Sequence, residues 1–415
     1  MNHVISAPES VGMSSKRLER IKPAMQLYVD QKRFSGISTL VARRGRVVHF
    51  EQSGWMDSES QIPMAPDTIF RIYSMTKPVI CTALMALYEE GRFQLWDPVA
   101  KYIPAFGKAR VLVGNLPEGA SEVDLARPIT IRDLLTHTAG LTYDFLEDSP
   151  VSELYRQAKL MHDASRSLEA MVKELARLPL AYQPGTKWHY SLSIDVAGHL
   201  IELISGQPLG DFLKERIFEP LGMEDTGYYV PPEKRRRIAN MVGLPDVGAL
   251  NMTFSKLVKA WEDGLVGRID VSETYPVDQP NFARGGHGLF STAWDYMHFA
   301  EMLLNGGELE GQRILGRKTV ELMHMNHLPQ ALLPWEIGGI PNPGYGFGLG
   351  SSVLLNVAES SKPGSVGEFG WSGAAKTNFW VDPQEELIGL LMTQFMMGFD
   401  LPEADFRVFI YQALV

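Results

Sequence analysis

The stretch Arg71-Ile72-Tyr73-Ser74-Met75-Thr76-Lys77-Pro78 constrains this chain more than any other. A turn-like Ala65-Pro66-Asp67 and a β-prone run over 68–72 lead into it. Behind it Val79, Ile80, Ala83, Leu84, Leu87 and Tyr88 recur at helical spacing up to Glu90-Gly91, a usual stop signal. Ser74 therefore sits at or near a helix N-terminus, and Lys77 lies one turn further along the same face. That place suits a nucleophile. A serine hydroxyl attacks well only when a neighbour takes its proton, and an amine three residues on is within reach. A helix N-terminus also presents free N–H groups to a developing oxyanion. Pro78 breaks a local rule there, because it has no backbone N–H to give. The tetrapeptide Ser-x-x-Lys is itself cheap, since roughly one is expected by chance in a chain this long. Ser74 is the only serine here with lysine at that spacing, and a helix cap beside a solvated lysine is the plain alternative.

The remaining pattern is mixed. Residues 14–32 read as one amphipathic helix with Leu18, Ile21, Met25 and Tyr28 on a face, followed by strands over 36–43 and 46–52 that turn at Arg44-Gly45. From 96 to 180 the signals are helical and irregular, with a short helix from Thr130 and others over 151–162 and 167–178. Helices over 193–204 and 209–217 follow. Residues 231–280 combine charge, proline and weak periodicity, the mark of an insertion or lid. The last third predicts strands over 344–355, 365–370, 376–381 and 387–393, then a helix over 403–413. With 45% apolar and 21% charged residues in 415, the chain has material for a large core.

Charge and cysteine content narrow the function. A formal net charge of −10 argues against nucleic acid or an anionic membrane as partner. The one basic cluster, Lys234-Arg235-Arg236-Arg237, reads as a solvated loop or helix end. Cys81 is the single cysteine, so there is no internal disulfide, and it falls in the apolar pattern of a core helix. No apolar run approaches the roughly 20 residues of a membrane span, and residues 1–8 lack a charged-then-apolar export signal. The cytoplasm is the expected compartment.

Four other features invite a chemical reading. Gly370-Trp371-Ser372-Gly373-Ala374 is close to a Gly-x-Ser-x-Gly elbow, but strand-like residues follow the serine and no histidine lies beyond His327, so the chain order fails. Gly344, Gly346, Gly348 and Gly350 alternate into an apolar strand, where a phosphate loop would open a helix; they predict a strand with close backbone approach. His324 and His327 lack a third ligand at a metal-binding spacing. Tyr190 is of more interest, because a tyrosine beside a lysine and a serine can shuttle the serine proton. On its own, an aromatic after the Pro184-Gly185 turn is ordinarily core.

Taken together, Ser74-x-x-Lys77, Tyr190-Ser191-Leu192 and Trp371-Ser372-Gly373 resemble, in order and spacing, the motifs of the class C β-lactamase-like superfamily. This group includes serine β-lactamases, DD-peptidases, family VIII carboxylesterases and acyltransferases. The stretches 134–141, 218–223 and 286–292 resemble it as well, and the similarity runs from Met13 to about Thr393. It implies an α/β (α+β) fold of the β-lactamase/DD-peptidase type. A central antiparallel sheet flanked by helices would come from 1–97 and 285–415, and a mainly helical domain from 98–284, with the possible lid at 231–280. Two departures choose the branch. Class C β-lactamases carry asparagine two residues after the tyrosine, where this chain has Leu192. They also carry Lys-Thr-Gly where Trp371-Ser372-Gly373 aligns; Lys376-Thr377-Asn378 fits that place less well. A tryptophan there resembles the family VIII esterases.

By the resemblance Ser74 is the acyl-accepting nucleophile, and Lys77 and Tyr190 share the proton work, with the base left open between them. The backbone N–H groups of Ser74 and Ala374 would form the oxyanion hole, and Trp371, Ser372 and Gly373 would border the substrate. The implied activity is hydrolysis of short-chain or aromatic carboxylic esters, with weak β-lactam hydrolysis compatible. The partner is a small-molecule ester, and no metal or organic cofactor is required. Acyl transfer, a β-lactamase or DD-peptidase specificity on the same acyl-enzyme, and a silent binding scaffold are the alternatives.

Overall fold

The computed structural model describes residues 4–114, 119–146, 148–243, 256, 258–259, 267–279, 281–396 and 401–415. Its centre is an eight-stranded antiparallel sheet. In chain order the strands are β1 (Gly36–Arg43), β2 (Arg46–Asp57), β3 (Ile62–Pro63), β4 (Tyr345–Phe347), β5 (Ser352–Leu354), β6 (Phe369–Gly373), β7 (Thr377–Asp382) and β8 (Leu387–Thr393). Across the sheet they run β4-β5-β6-β7-β8-β1-β2-β3. The first long strand thus pairs with the last, Leu40 opposite Leu390 and Val41 opposite Gly389.

Every residue of β1 is buried, because both faces of the sheet are covered. Strand side chains alternate between faces. Ile37 and Val41, with Leu387 and Leu391 of β8, pack on one side with Met25, Phe406 and Ile410. Those come from α1 (Ile21–Asp30) and the C-terminal helix Pro402–Tyr411. Leu40, Ala42, Ile388, Leu390 and Met392 face the other way, onto the helix Ala293–Leu304 and the main core. This apolar cluster runs unbroken from the sheet to Leu134, Leu175 and Leu200. Two helices cross within it and position the site. They are α2 (Thr76–Glu89) and α3 (Ser193–Ser205), which pack against each other.

Several sequence expectations need correction. The single helix over 14–32 is two pieces, Ser15–Leu18 and α1, with a break at Glu19 and Arg20. Pro23 explains it: proline fits the first turn of a helix but not its interior, so the helix restarts at Ile21. The strand expected over 344–355 is two short strands, β4 and β5, joined through Gly348 and Gly350. The close backbone approach expected there is present, since a Cβ on Gly348 would sit 2.2 Å from the Met323 carbonyl oxygen. The strand expected over 365–370 starts and ends later, at Phe369–Gly373. The helix expected over 209–217 stops at Leu213 and continues as one wider turn, Lys214–Phe218.

The basic cluster is not simply solvated. It forms a short helical turn, Pro232–Arg237, in which Arg237 grips Asp225 through both terminal nitrogens (3.1 and 2.5 Å). Lys234 joins the same carboxylate at 2.7 Å. Within the proposed lid, Val242–Gly243 lies between Phe395–Met396 and Gly267–Arg268 as a small sheet. Residues 244–255, 257, 260–266 and 280 lie outside the described residues, so that expectation is only partly covered. Among the described residues no helix is long and apolar enough to cross a membrane.

Candidate active site

Ser74 stands in a tight turn, Tyr73–Met75, that leads directly into α2. Tyr73 holds φ +45°, the left-handed region that costs a residue with a Cβ about 1–2 kcal/mol. The turn persists because it is anchored on several sides. Phe70 and Arg71 pair with Ser291 and Phe290. Ile72 donates its N–H to the Leu289 carbonyl (3.1 Å), and the Tyr296 hydroxyl donates to the Met75 carbonyl (2.9 Å). The Tyr73 ring rests on Tyr275, their centroids 4.7 Å apart.

Lys77 points back along α2 at the serine. Its Nζ donates to Ser74 Oγ (2.9 Å) and to the Gly286 carbonyl (2.8 Å), and the side chain is buried, with Lys77 only 1% exposed. Tyr190 arrives from the segment before α3, and its hydroxyl donates to Ser74 Oγ at 2.6 Å. The ammonium also lies over two rings, 4.5 Å from the centroid of Tyr190 and 5.4 Å from that of Tyr143. The three residues singled out from sequence thus meet at one oxygen. This geometry supports proton exchange between a serine hydroxyl, an amine and a phenol.

Strand β6 closes the other side. Trp371 is buried, its ring 5.7 Å from Tyr190 and 5.3 Å from Phe347. Ser372 alternates away from it and is exposed. Gly373 explains how the strand end comes so near the Ser74 turn. A Cβ there would sit 2.4 Å from the Ile72 carbonyl and 2.3 Å from Thr377 Oγ1, so only glycine fits without displacement. The Thr377 hydroxyl donates to the same carbonyl (3.2 Å), tying the β6–β7 turn to the residue two before Ser74. Ala374 is the first residue of that turn. Gly373→Ala is expected to lower kcat by roughly ten- to a hundredfold, because the methyl must push the strand end off Ile72. A folded Gly373→Ala protein with unchanged kcat would show that this spacing is not needed.

The structure adds residues that the sequence reading did not single out. Trp188, Trp335 and Phe347 complete an aromatic wall with Trp371 and Tyr190. His137, fully buried with φ +54°, packs its ring 5.0 Å from Tyr190 and bonds Ser191 Oγ through Nδ1 (3.2 Å). Burial, helped by the charge of Lys77, holds its pKa well below the usual histidine value, so the ring is neutral. For Phe347 a signal existed, because it lies between two of the alternating glycines. For Trp335 none did. Lys376, the alternative lysine, is turned to the C-terminal helix, 3.7 Å from Glu403. His324 stacks on Phe369 and bonds the Val320 carbonyl, while His327 bonds that of Leu322.

Known proteins share this architecture. A family model described as Beta-lactamase matches residues 20–412. An uncharacterized protein of Mycobacterium tuberculosis is 36% identical over 87% of this chain and 86% of its own. Esterase EstB of Burkholderia gladioli is 29% identical over 88% of this chain and 86% of its own. Among solved structures, EstCE1, described as a hydrolase with promiscuous acyltransferase activity, has a TM-score of 0.78 at 27% identity. It covers 95% of this chain and 99% of its own.

Proposed function

The chain belongs to the β-lactamase family, as an esterase-like member of the class C β-lactamase-like superfamily, and on that premise we propose that it is a serine carboxylesterase. Ser74 Oγ attacks the ester carbonyl and its proton passes into the Lys77–Tyr190 pair. The N–H groups of Ser74 and Ala374 receive the oxyanion. The proton returns to the departing alkoxide, the alcohol leaves, and water then attacks the acyl-serine by the same route. The aromatic wall gives an ester an apolar surface beside the reacting carbon.

The observation that carries this reading over a β-lactam or D-alanyl peptide is the side chain in the middle of β6. Those substrates bear a carboxylate, which calls for a cation. Here the position facing Tyr190 holds the Trp371 indole, and Lys376 is paired with Glu403. Acyl transfer to an alcohol is the second reading, favoured by the likeness to EstCE1. The test gives the enzyme p-nitrophenyl butyrate, with and without an added short alcohol, beside a D-alanyl-D-alanine peptide. Free butyrate as the main product in both ester reactions, with the peptide intact, is the expected result. A butyrate ester of the added alcohol as the main product would make it a transferase, and faster peptide cleavage would overturn the ester assignment.

A further inference from the structure

Behind Lys77 lies a carboxylate that the cycle above does not use. Asp195 is fully buried in the first turn of α3, five residues after Tyr190, so one segment delivers both to the same place. Its Oδ1 accepts the Gly286 N–H at 3.0 Å, while the carbonyl of Gly286 accepts Lys77 Nζ at 2.8 Å. The Gly285-Gly286 pair fits this contact closely. A Cβ on Gly285 would sit 1.9 Å from the Ile194 carbonyl. One on Gly286 would sit 2.6 Å from Asp195 Oδ2 and 2.8 Å from Tyr143 Oη.

We infer that Asp195 is a positioning residue for the nucleophile: through Gly286 it fixes the carbonyl that holds Lys77 against Ser74, and it is the buried counter-charge of that lysine. The inference rests on reading Ser74 as the nucleophile. Its physical basis is the cost of burying an unpaired ammonium, which a nearby carboxylate offsets. Lys77 and Arg284 are both buried here, and the Arg284 guanidinium donates to the carbonyls of Ala283 and Asp163. Titratable and charged groups facing this cluster include the phenols of Tyr143, Tyr190 and Tyr228, the buried imidazoles of His137 and His287, the Cys81 thiol and, around Arg284 and Tyr228, Asp163, Arg166 and Glu202. Asp195 Oδ2 accepts no hydrogen bond among the described residues. Burial pushes its carboxyl pKa up and outweighs the opposing pull of the Gly286 N–H, Lys77, Arg284 and the Gly285 N–H, so the group sits above the usual carboxylate range. The positive end of α3 also favours the carboxylate.

The test is the pH dependence of Ser74 labelling by a fluorophosphonate, measured on the intact wild-type chain, Asp195→Asn and Gly286→Ala. Asparagine keeps an acceptor for the Gly286 N–H but removes the charge. Loss of a negative charge disfavours a protonated amine and favours a phenolate, so whichever of the pair is the base, the acid limb moves to lower pH, by roughly one unit. Gly286→Ala keeps the charge but pushes the carboxylate aside, and the plateau rate is expected to fall by about ten- to a hundredfold. A purely structural role would lower the melting temperature and leave both limb and plateau in place. That result in either folded variant overturns the inference, so Gly286→Ala decides the matter if Asp195→Asn does not fold. A wild type that takes no label overturns the Ser74 reading itself, and with it the role of Asp195.

Discussion

Ser74→Ala is expected to cut ester turnover by about 10⁴-fold or more, to a rate near that of the uncatalysed reaction. Lys77 and Tyr190 both hydrogen-bond the serine oxygen, at 2.9 and 2.6 Å. Removing it leaves the proton-handling groups and the aromatic wall in place with nothing to form the acyl bond. The fold should survive, because only the two hydrogen bonds to the serine oxygen are lost, at about 1 kcal/mol each. The measurement is p-nitrophenyl butyrate hydrolysis by wild type and variant side by side, with thermal melting as control. Turnover that persists in the variant would place the nucleophile elsewhere.

Tyr190→Phe and Lys77→Ala should each lose roughly 10²–10⁴-fold in kcat. The tyrosine change is the cleaner of the two. The ring keeps its contacts with Trp188, Trp371 and His137 and loses only the hydroxyl at Ser74. Lys77→Ala also removes the charge facing Asp195 and leaves a cavity, so it should melt at a lower temperature. In the proposed cycle both groups act on one proton, so the double variant should lose little more than the worse single one. Near-normal turnover in Tyr190→Phe would remove the phenol from the mechanism, and strictly multiplicative losses would mean that the two act on separate steps.

What could be read in the sequence was what is local, or what is tied to a local signal. Ser74 and Lys77 share one helical turn, so their spacing alone brings them together. Tyr190 needed the company of the other motifs, because nothing in residues 180–192 says that this ring points at α2. Trp335, Tyr143 and Asp195 reach the site only through the tertiary fold. Their neighbours in the chain carry no pattern that foretells it. The alternation expected of a half-buried strand was also absent from β1, where Ser38, Thr39 and Arg43 are buried along with the apolar residues. Both faces are covered there, and the polar side chains find partners inside: Thr39 bonds His49, and Arg43 bonds the Val11 and Gly12 carbonyls. Pro23 could have been read as a helix start, yet the amphipathic spacing on either side of it masked the break.

The pairing of β1 with β8 sets a timetable for synthesis. A ribosome releases β1 early and its central partner roughly 350 residues later, a wait of about 20–70 s at ordinary elongation rates. Through that interval β1 has β2 on one side and an unpaired backbone edge on the other, the kind of surface on which chains aggregate. Ser74 emerges within the same interval, long before the strand that carries Trp371 and the turn that carries Ala374. A nascent chain therefore holds Ser74 without the other wall of the site, which is complete only when the last strand of the sheet slots into its middle.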